Sequence, residues 1–150
     1  MRAWRIARAA HRALDGEGAR LAGGRWNSPG VPVVYASSTL SLAALEYLVH
    51  VDIGDVPDDL VALEIEVPDD GGSLEIRLDR LPSDWNRVED HPACVESGDE
   101  WAAAADALLL AVPSAIIPEE LNLMINPAHP AAERIRIPSS RRFAFDPRLL

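Results

Sequence analysis

Val31-Pro32-Val33-Val34-Tyr35-Ala36-Ser37-Ser38-Thr39-Leu40-Ser41-Leu42-Ala43-Ala44-Leu45-Glu46-Tyr47-Leu48-Val49 changes character halfway along. Val31 to Ala36 is β-branched and aromatic, a composition that suits a pleated surface and predicts a strand. From about Leu40 to Val49 the residues are good helix formers, and Ser37 or Ser38 stands where a hydroxyl can cap the first turn. A strand running through a cap into a helix is the unit from which the rest of the chain is read.

Upstream, Trp4-Arg5-Ile6-Ala7 alternates apolar and polar positions and predicts a short strand. A helical segment over Ala9 to Leu14 is expected to break at Asp15-Gly16-Glu17-Gly18, and Gly23-Gly24-Arg25-Trp26-Asn27-Ser28-Pro29-Gly30 is dense enough in turn formers to predict a structured loop. Downstream, Leu60 to Val67 reads as a strand with Leu63, Ile65 and Val67 on one face and Glu64 and Glu66 on the other. Leu74 to Leu78 is expected to pair nearby, and Pro82 to Cys94 to be irregular. An Ala-rich helix spans about Trp101 to Ala105. Leu108 to Val112 predicts a buried strand ending at Pro113-Ser114, with Ala115-Ile116-Ile117 extended beyond it. Leu121 to Ile125 is apolar, Asn126-Pro127 turns the chain, and Arg134 to Ile137 and Arg142 to Phe145 are late strands. Strands outnumber helices without alternating with them, so the class is α+β: one compact domain over residues 1–150, with a mixed, mostly antiparallel sheet and short flanking helices.

The bulk properties agree with one domain, because 150 residues at 48% hydrophobic suffice for a single core. The longest apolar runs fall far short of the roughly 20 residues of a membrane span. No apolar signal core follows Met1-Arg2-Ala3-Trp4-Arg5, and Cys94 is the only cysteine, so a cytoplasmic protein without a disulfide is expected. The net charge of −10 is uneven. Residues 1–50 hold six Arg against Asp15, Glu17 and Glu46 (+3), residues 51–100 three Arg against sixteen acids (−13), and residues 101–150 five of each. An acidic chain repels a phosphate backbone, which argues against general nucleic-acid binding. The acidic middle reads as a solvated surface or a docking face for a basic partner.

Four residues carry candidate chemistry. Arg25 follows two glycines, so its guanidinium can be presented from a tight turn to a phosphate or pyrophosphate; the alternative is a loop-holding Arg stacked on Trp26 or paired with an acid. Tyr35 shares a strand face with Val31 and Val33 and offers a ring and a hydroxyl to a cleft, or packs in the core. Glu46 lies in an almost wholly apolar helix. A carboxylate so placed needs a partner or a task, and in glycosidic cleavage it can hydrogen-bond sugar hydroxyls and stabilise an oxocarbenium-like transition state. The alternative is a helix-edge Glu facing water or paired with His50. Ser114 ends a buried strand, where a small hydroxyl can meet a ligand, and no Gly-x-Ser-x-Gly elbow surrounds it. His11, His50, His91 and His129 are scattered without metal-ligand spacing, and no Gly-x-Gly-x-x-Gly or Walker sequence occurs, so no metal site and no Rossmann-type site are expected.

Trp4-Arg5-Ile6, Gly23 to Gly30, Val33-Val34-Tyr35-Ala36-Ser37, Leu42-Ala43-Ala44-Leu45-Glu46, Val112-Pro113-Ser114 and Asn126-Pro127-Ala128-His129-Pro130, taken in order, resemble the RES-domain family, from about Trp4 to Phe145-Asp146-Pro147-Arg148-Leu149. The Arg, Glu and Ser of the family name match Arg25, Glu46 and Ser114. The resemblance implies an ADP-ribosyltransferase-like fold and the toxin of a RES–Xre toxin–antitoxin module, acting on NAD as a substrate and not holding it as a resident cofactor. It implies that Arg25 holds the NAD phosphates or ribose, Tyr35 lines the nicotinamide site, Glu46 binds ribose hydroxyls and Ser114 positions the substrate. Arg5, Trp26, Asn27 and Asn126 are implied as further NAD-binding positions. Ala111 departs from the polar or basic residue that the resemblance leads one to expect before Val112-Pro113-Ser114. An Xre-type antitoxin is the implied partner, in a hetero-oligomer whose toxin is itself a monomer or a homodimer. NAD loss by hydrolysis or phosphorolysis is the expected outcome. The alternatives are mono-ADP-ribosylation of a protein and a catalytically silent antitoxin-binding module; an RNA-cleaving toxin would need a basic face or a histidine acid–base pair that the chain lacks.

Overall fold

Antiparallel pairing accounts for most of the architecture. The computed structural model describes residues 1–150, with strands β1 (Arg2–Arg8), β2 (Val34–Ser37), β3 (Leu60–Glu66), β4 (Ser73–Glu75), β5 (Leu109–Pro113), β6 (Leu121–Ile125) and β7 (Arg136–Arg142), and helices α1 (Glu17–Ala22), α2 (Leu40–Leu48) and α3 (Pro92–Ala104). All seven strands form one sheet in the order β4-β5-β6-β2-β1-β3-β7, in which only β4 and β5 run parallel. No helix is long and apolar enough to cross a membrane.

The register is uneven in one informative place. β1 pairs with β3 along its whole length and β2 with β6 along all four of its residues, whereas β1 and β2 meet at a single pair, Trp4 opposite Ser37. The sheet is therefore two wings, β4-β5-β6-β2 and β1-β3-β7, joined at one point. Beyond that point the backbone groups of the diverging strands lose ladder partners. Arg5 compensates in part, its Nη1 donating to the Tyr35 carbonyl at 3.4 Å.

Both faces of the sheet are covered, for reasons visible in the strand alternation. Ala3, Val34, Ala36, Leu63, Ile65, Leu123 and Ile125 fill the main core on one face, where Leu14 and the 3-10 turn around Ala131 close over them. On the other face α2 lays Ala43 and Leu40 against Ile6, Leu60 and Phe145. Alongside it, Trp26, Trp85, Trp101 and Cys94 pack on Leu110, Val112 and Met124. The outer strand β7 is exposed at every position, and its arginines and Pro138 are devices that discourage pairing with another chain.

Several local expectations are revised. The cap of α2 is Thr39, whose side chain accepts the Leu42 N–H at 3.1 Å; Ser37 is still within β2 and Ser38 precedes the extended Thr39. Ala9 to Leu14 forms only a 3-10 turn at Ala9–His11, and the helix starts where a break was expected. Gly16 takes φ +69° before it, and Asp15 accepts the Glu17 N–H, so the turn formers initiate α1 instead of ending a helix. β2 begins at Val34 rather than Val31. α3 begins at Pro92, well before Trp101, because a proline at the first helical position needs no N–H partner. Ala115 to Ile117 is a turn, with the Ile116 and Ile117 amides both donating to the Ser114 hydroxyl. The two late strands are one, β7, which takes in Arg136 and Ile137 of the first and Arg142 of the second. Just past β7, Phe143 still donates its N–H to the Leu60 carbonyl at 2.9 Å, and Phe143 and Phe145 form an aromatic group with Tyr47, the two phenyl rings 5.1 Å apart edge to face.

Gly98 shows how closely α3 is seated. A Cβ there would lie 1.7 Å from the Trp26 carbonyl oxygen. Alanine normally stabilises a helix interior relative to glycine, by about 1 kcal/mol. Here the sign reverses: Gly98→Ala is expected to destabilise the fold by about 1–3 kcal/mol through overpacking, measured by urea unfolding, and a stabilised variant would contradict this packing.

Candidate active site

Tyr35 and Ser37 occupy alternate positions of β2 and so point to the same side of the sheet, about 7 Å apart along the strand. Each anchors a different part of the site. The Tyr35 hydroxyl donates to Asn27 Oδ1 at 2.6 Å and accepts the Trp26 N–H at 3.0 Å, pinning the Gly23–Gly30 loop to the sheet. Asn27 Nδ2 in turn donates to the carbonyls of Ala19, Ser28 and Val31. A Cβ on Gly24 would come within 2.7 Å of the Tyr35 oxygen, which is why a glycine stands there. Burial pushes the Tyr35 phenol well above its ordinary range, so the hydroxyl keeps the proton this geometry requires.

The far side of the loop is held by α3. Asp99 accepts both the Ser28 N–H, at 2.9 Å, and the Ser28 hydroxyl, at 2.6 Å. Between these clamps Arg25 is half-buried, with Nη1 donating to the Trp85 carbonyl at 3.0 Å. Burial, reinforced by the Arg25 charge, holds His91 below the usual imidazole range, while burial raises the Cys94 thiol. Trp26, 2% exposed, lies in the core against Trp85 and does not offer its ring at the surface.

Ser37 begins the second group. Its hydroxyl donates to Oδ1 of Asn122, its partner across β6, at 2.7 Å. Asn122 Nδ2 donates to Glu46 Oε1, and the Ser114 hydroxyl donates to the same oxygen at 2.8 Å. Glu46 thus turns from α2 onto the sheet, with Ser114 and Asn122 as partners instead of His50. The apolar residues around Glu46 leave it few alternatives, since a half-buried carboxylate must be hydrogen-bonded.

Glu46 and Ser114 are therefore in contact, and Tyr35 and the Arg25 loop are anchored on the same sheet face next to them. Arg5 is on the opposite face of β1 from Trp4, in register with Ala3 and Ala7; burial lowers its pKa and its Nε has no partner. Asn126 is buried away from this group, its Nδ2 donating to Ala102 and its Oδ1 accepting the Ala128 N–H, so it joins α3 to the end of β6. Asn122 and Asp99 do not stand out in the sequence, and Ser37 reads there as a helix cap instead of a site residue. The available signal was a polar side chain at an inward position of an otherwise apolar strand, as in Leu121-Asn122-Leu123-Met124-Ile125. No three His, Cys, Asp or Glu side chains gather to hold a metal ion.

Removing the Tyr35 hydroxyl strands the Trp26 N–H and an oxygen of Asn27. Tyr35→Phe is expected to lower stability by about 1–3 kcal/mol, read from thermal unfolding; an unchanged midpoint would show that the loop is held elsewhere.

Residues 2–146 match the model of the RES domain. The chain is 42% identical, over 98% of its length and 95% of the relative's, to the Prs ADP-ribosylating toxin of Sphingobium sp. (strain YBL2). It is also 42% identical, over 77% of its length and 73% of the relative's, to the protein named Toxin Res of Photorhabdus laumondii. Among solved structures, the M. tuberculosis MbcT–MbcA toxin–antitoxin complex contains a chain that superposes with a TM-score of 0.77 at 20% identity, covering 95% of this chain and 84% of that one, which is a likeness of fold. With a family model spanning nearly the whole sequence and relatives at this identity, the chain belongs to the RES domain family.

Proposed function

We propose that this protein is the toxin of a toxin–antitoxin module and that it cleaves the nicotinamide–ribose bond of NAD. The observation that carries the reading is the carboxylate of Glu46, whose Oε1 is held by two donors, Ser114 just past β5 and Asn122 in β6, while neither bond uses Oε2. A carboxylate fixed in this way can bind ribose hydroxyls through its other oxygen. It also sets negative charge beside a ring that becomes positive as the bond breaks. In that step the C1′–N bond breaks, its electron pair leaves with neutral nicotinamide, and the ribose passes through an oxocarbenium-like state that an acceptor oxygen captures, releasing a proton. Arg25, half-buried on a loop clamped at both ends, supplies the guanidinium for the dinucleotide's phosphates. Tyr35 holds that loop through its hydroxyl.

Water or inorganic phosphate is the acceptor favoured here, which makes the outcome loss of NAD. The second reading, transfer to a protein side chain, draws on the Sphingobium relative, which is named as an ADP-ribosylating toxin. An antitoxin partner follows from the toxin reading and from the fold shared with a chain solved in a toxin–antitoxin complex; we assign it to the Xre type.

The test is incubation of the purified chain with NAD, with and without phosphate and with a cell extract, followed by mass spectrometry. Free ADP-ribose or its phosphate adduct is expected; ADP-ribose accumulating on a protein would transfer the assignment to the second reading, and intact NAD would refute both. Glu46→Gln, which keeps the shape and loses the charge, is expected to lower kcat about 10²- to 10³-fold. Its expression without an antitoxin should permit growth that the unaltered chain prevents, and equal toxicity would remove Glu46 from the mechanism.

A further inference from the structure

The Ser114 hydroxyl has one proton and two lone pairs. Both lone pairs are taken, by the Ile116 and Ile117 amides at 3.1 Å each, so its proton is committed to Glu46 Oε1. On the other side Asn122 stands between Ser37 and Glu46 with its two ends chemically distinct. The acceptor-only carboxylate takes Nδ2, and Ser37, 2% exposed, gives its proton to the Oδ1 that this leaves on the far side. A flipped amide would set two oxygens against each other. Glu46 Oε1 therefore receives two donors of fixed polarity, neither from its own helix. Helical geometry restricts χ1 but leaves the outer torsions of a glutamate free, so the plane of the carboxylate is set by these two contacts.

We infer that Asn122, backed by Ser37, is a positioning residue that fixes the carboxylate of Glu46 with Oε2 toward the substrate, and that Ser37 acts only through Asn122. This rests on the reading of Glu46 given above. It also restricts Ser114 to the same task, because a hydroxyl whose proton and lone pairs are all engaged has nothing left to act as nucleophile or base. The direction of every bond in the sequence Ser37 to Asn122 to Glu46 is what makes the assignment: a merely space-filling asparagine would need neither the serine behind it nor a particular orientation of its amide.

Asn122→Ala, Asn122→Asp, Ser37→Ala and the Ser37→Ala/Asn122→Ala pair, each checked for folding by thermal unfolding, are compared with the unaltered chain in NAD cleavage. The side-chain amide of Asn122 is followed by ¹⁵N-edited NMR in the unaltered chain, in Ser37→Ala and in Glu46→Gln. Asn122→Ala is expected to lose about 10- to 100-fold in kcat. Asn122→Asp, which is isosteric but meets Glu46 with a like charge, should lose more, and KM should stay within about twofold in both. Ser37→Ala alone should cost about 2- to 10-fold and cost nothing further in the Asn122→Ala background. The amide signal should move in both Glu46→Gln and Ser37→Ala. Wild-type kcat in Asn122→Ala, a rise in KM in place of a fall in kcat, or losses that multiply in the double variant would overturn the inference. If the unaltered chain leaves NAD intact, the NAD reading fails by itself, and an amide signal unmoved by Glu46→Gln then overturns the positioning role. Should the Asn122 variants not fold, Ser37→Ala decides by the same two readouts.

Discussion

Ser37 carries two structural duties with one residue. Its backbone is the single register pair that joins β2 to β1 and hence one wing of the sheet to the other, and its hydroxyl is the first donor in the sequence that ends on Glu46. Beside this junction β2 sends Tyr35 and Ser37 to one face of the sheet. Position along one short strand thus decides which group holds the arginine loop and which holds the carboxylate. The strand is only four residues long, and its inward face on the opposite side, Val34 and Ala36, is fully committed to the main core. That burial prevents a register slip, since moving β2 by one residue would put Val34 and Ala36 where Tyr35 and Ser37 now stand.

The loop bearing Arg25 is ordered from two sides by different chemistry. From the sheet it is held by neutral hydrogen bonds to a phenol kept protonated by its burial, and from α3 by the charged Asp99 on Ser28. Gly98 lets the helix approach the Trp26 backbone so closely that no side chain fits between them. An arginine on a free loop would lose considerable conformational entropy on gripping a ligand; one on a loop clamped in this manner has lost most of it during folding. The surface arginines are instead paired with acids along the chain, Arg2 with Glu64, Arg8 with Asp59 and Arg134 with Asp70.

Much of the fold was legible in the chain. The apolar character of Leu60 to Val67, Leu108 to Val112 and Leu121 to Ile125 marks buried strands wherever they end up pairing, and the α+β class with a mostly antiparallel sheet follows from their number and spacing. Boundaries were less legible where local signals compete. Thr39, Ser38 and Ser37 are all adequate caps, and Thr39 is used because Ser37 is retained by β2. Asp15-Gly16-Glu17-Gly18 has the composition of a terminator and acts as an initiator, since the same left-handed glycine serves either end of a helix. The residues on either side of Pro138 form one strand because the edge of a sheet tolerates a missing donor.

The site divides in the same way. Arg25, Glu46 and Ser114 stand out from residue type and immediate neighbours: a guanidinium after two glycines, a carboxylate in an apolar helix, a hydroxyl at a strand's end. What joins them does not, because Ser37, Asn122 and Asp99 matter through partners far along the chain, and no local pattern records that Ser37 faces Asn122 or that Asp99 reaches Ser28. The same holds for Trp26, Asn27 and Asn126, whose side chains the folded chain uses for packing and loop order. Composition and periodicity specify which faces must be buried, since that is a property of each segment; which polar groups meet across those faces is settled only when the strands pair, because a hydrogen bond depends on both partners and on the register between them.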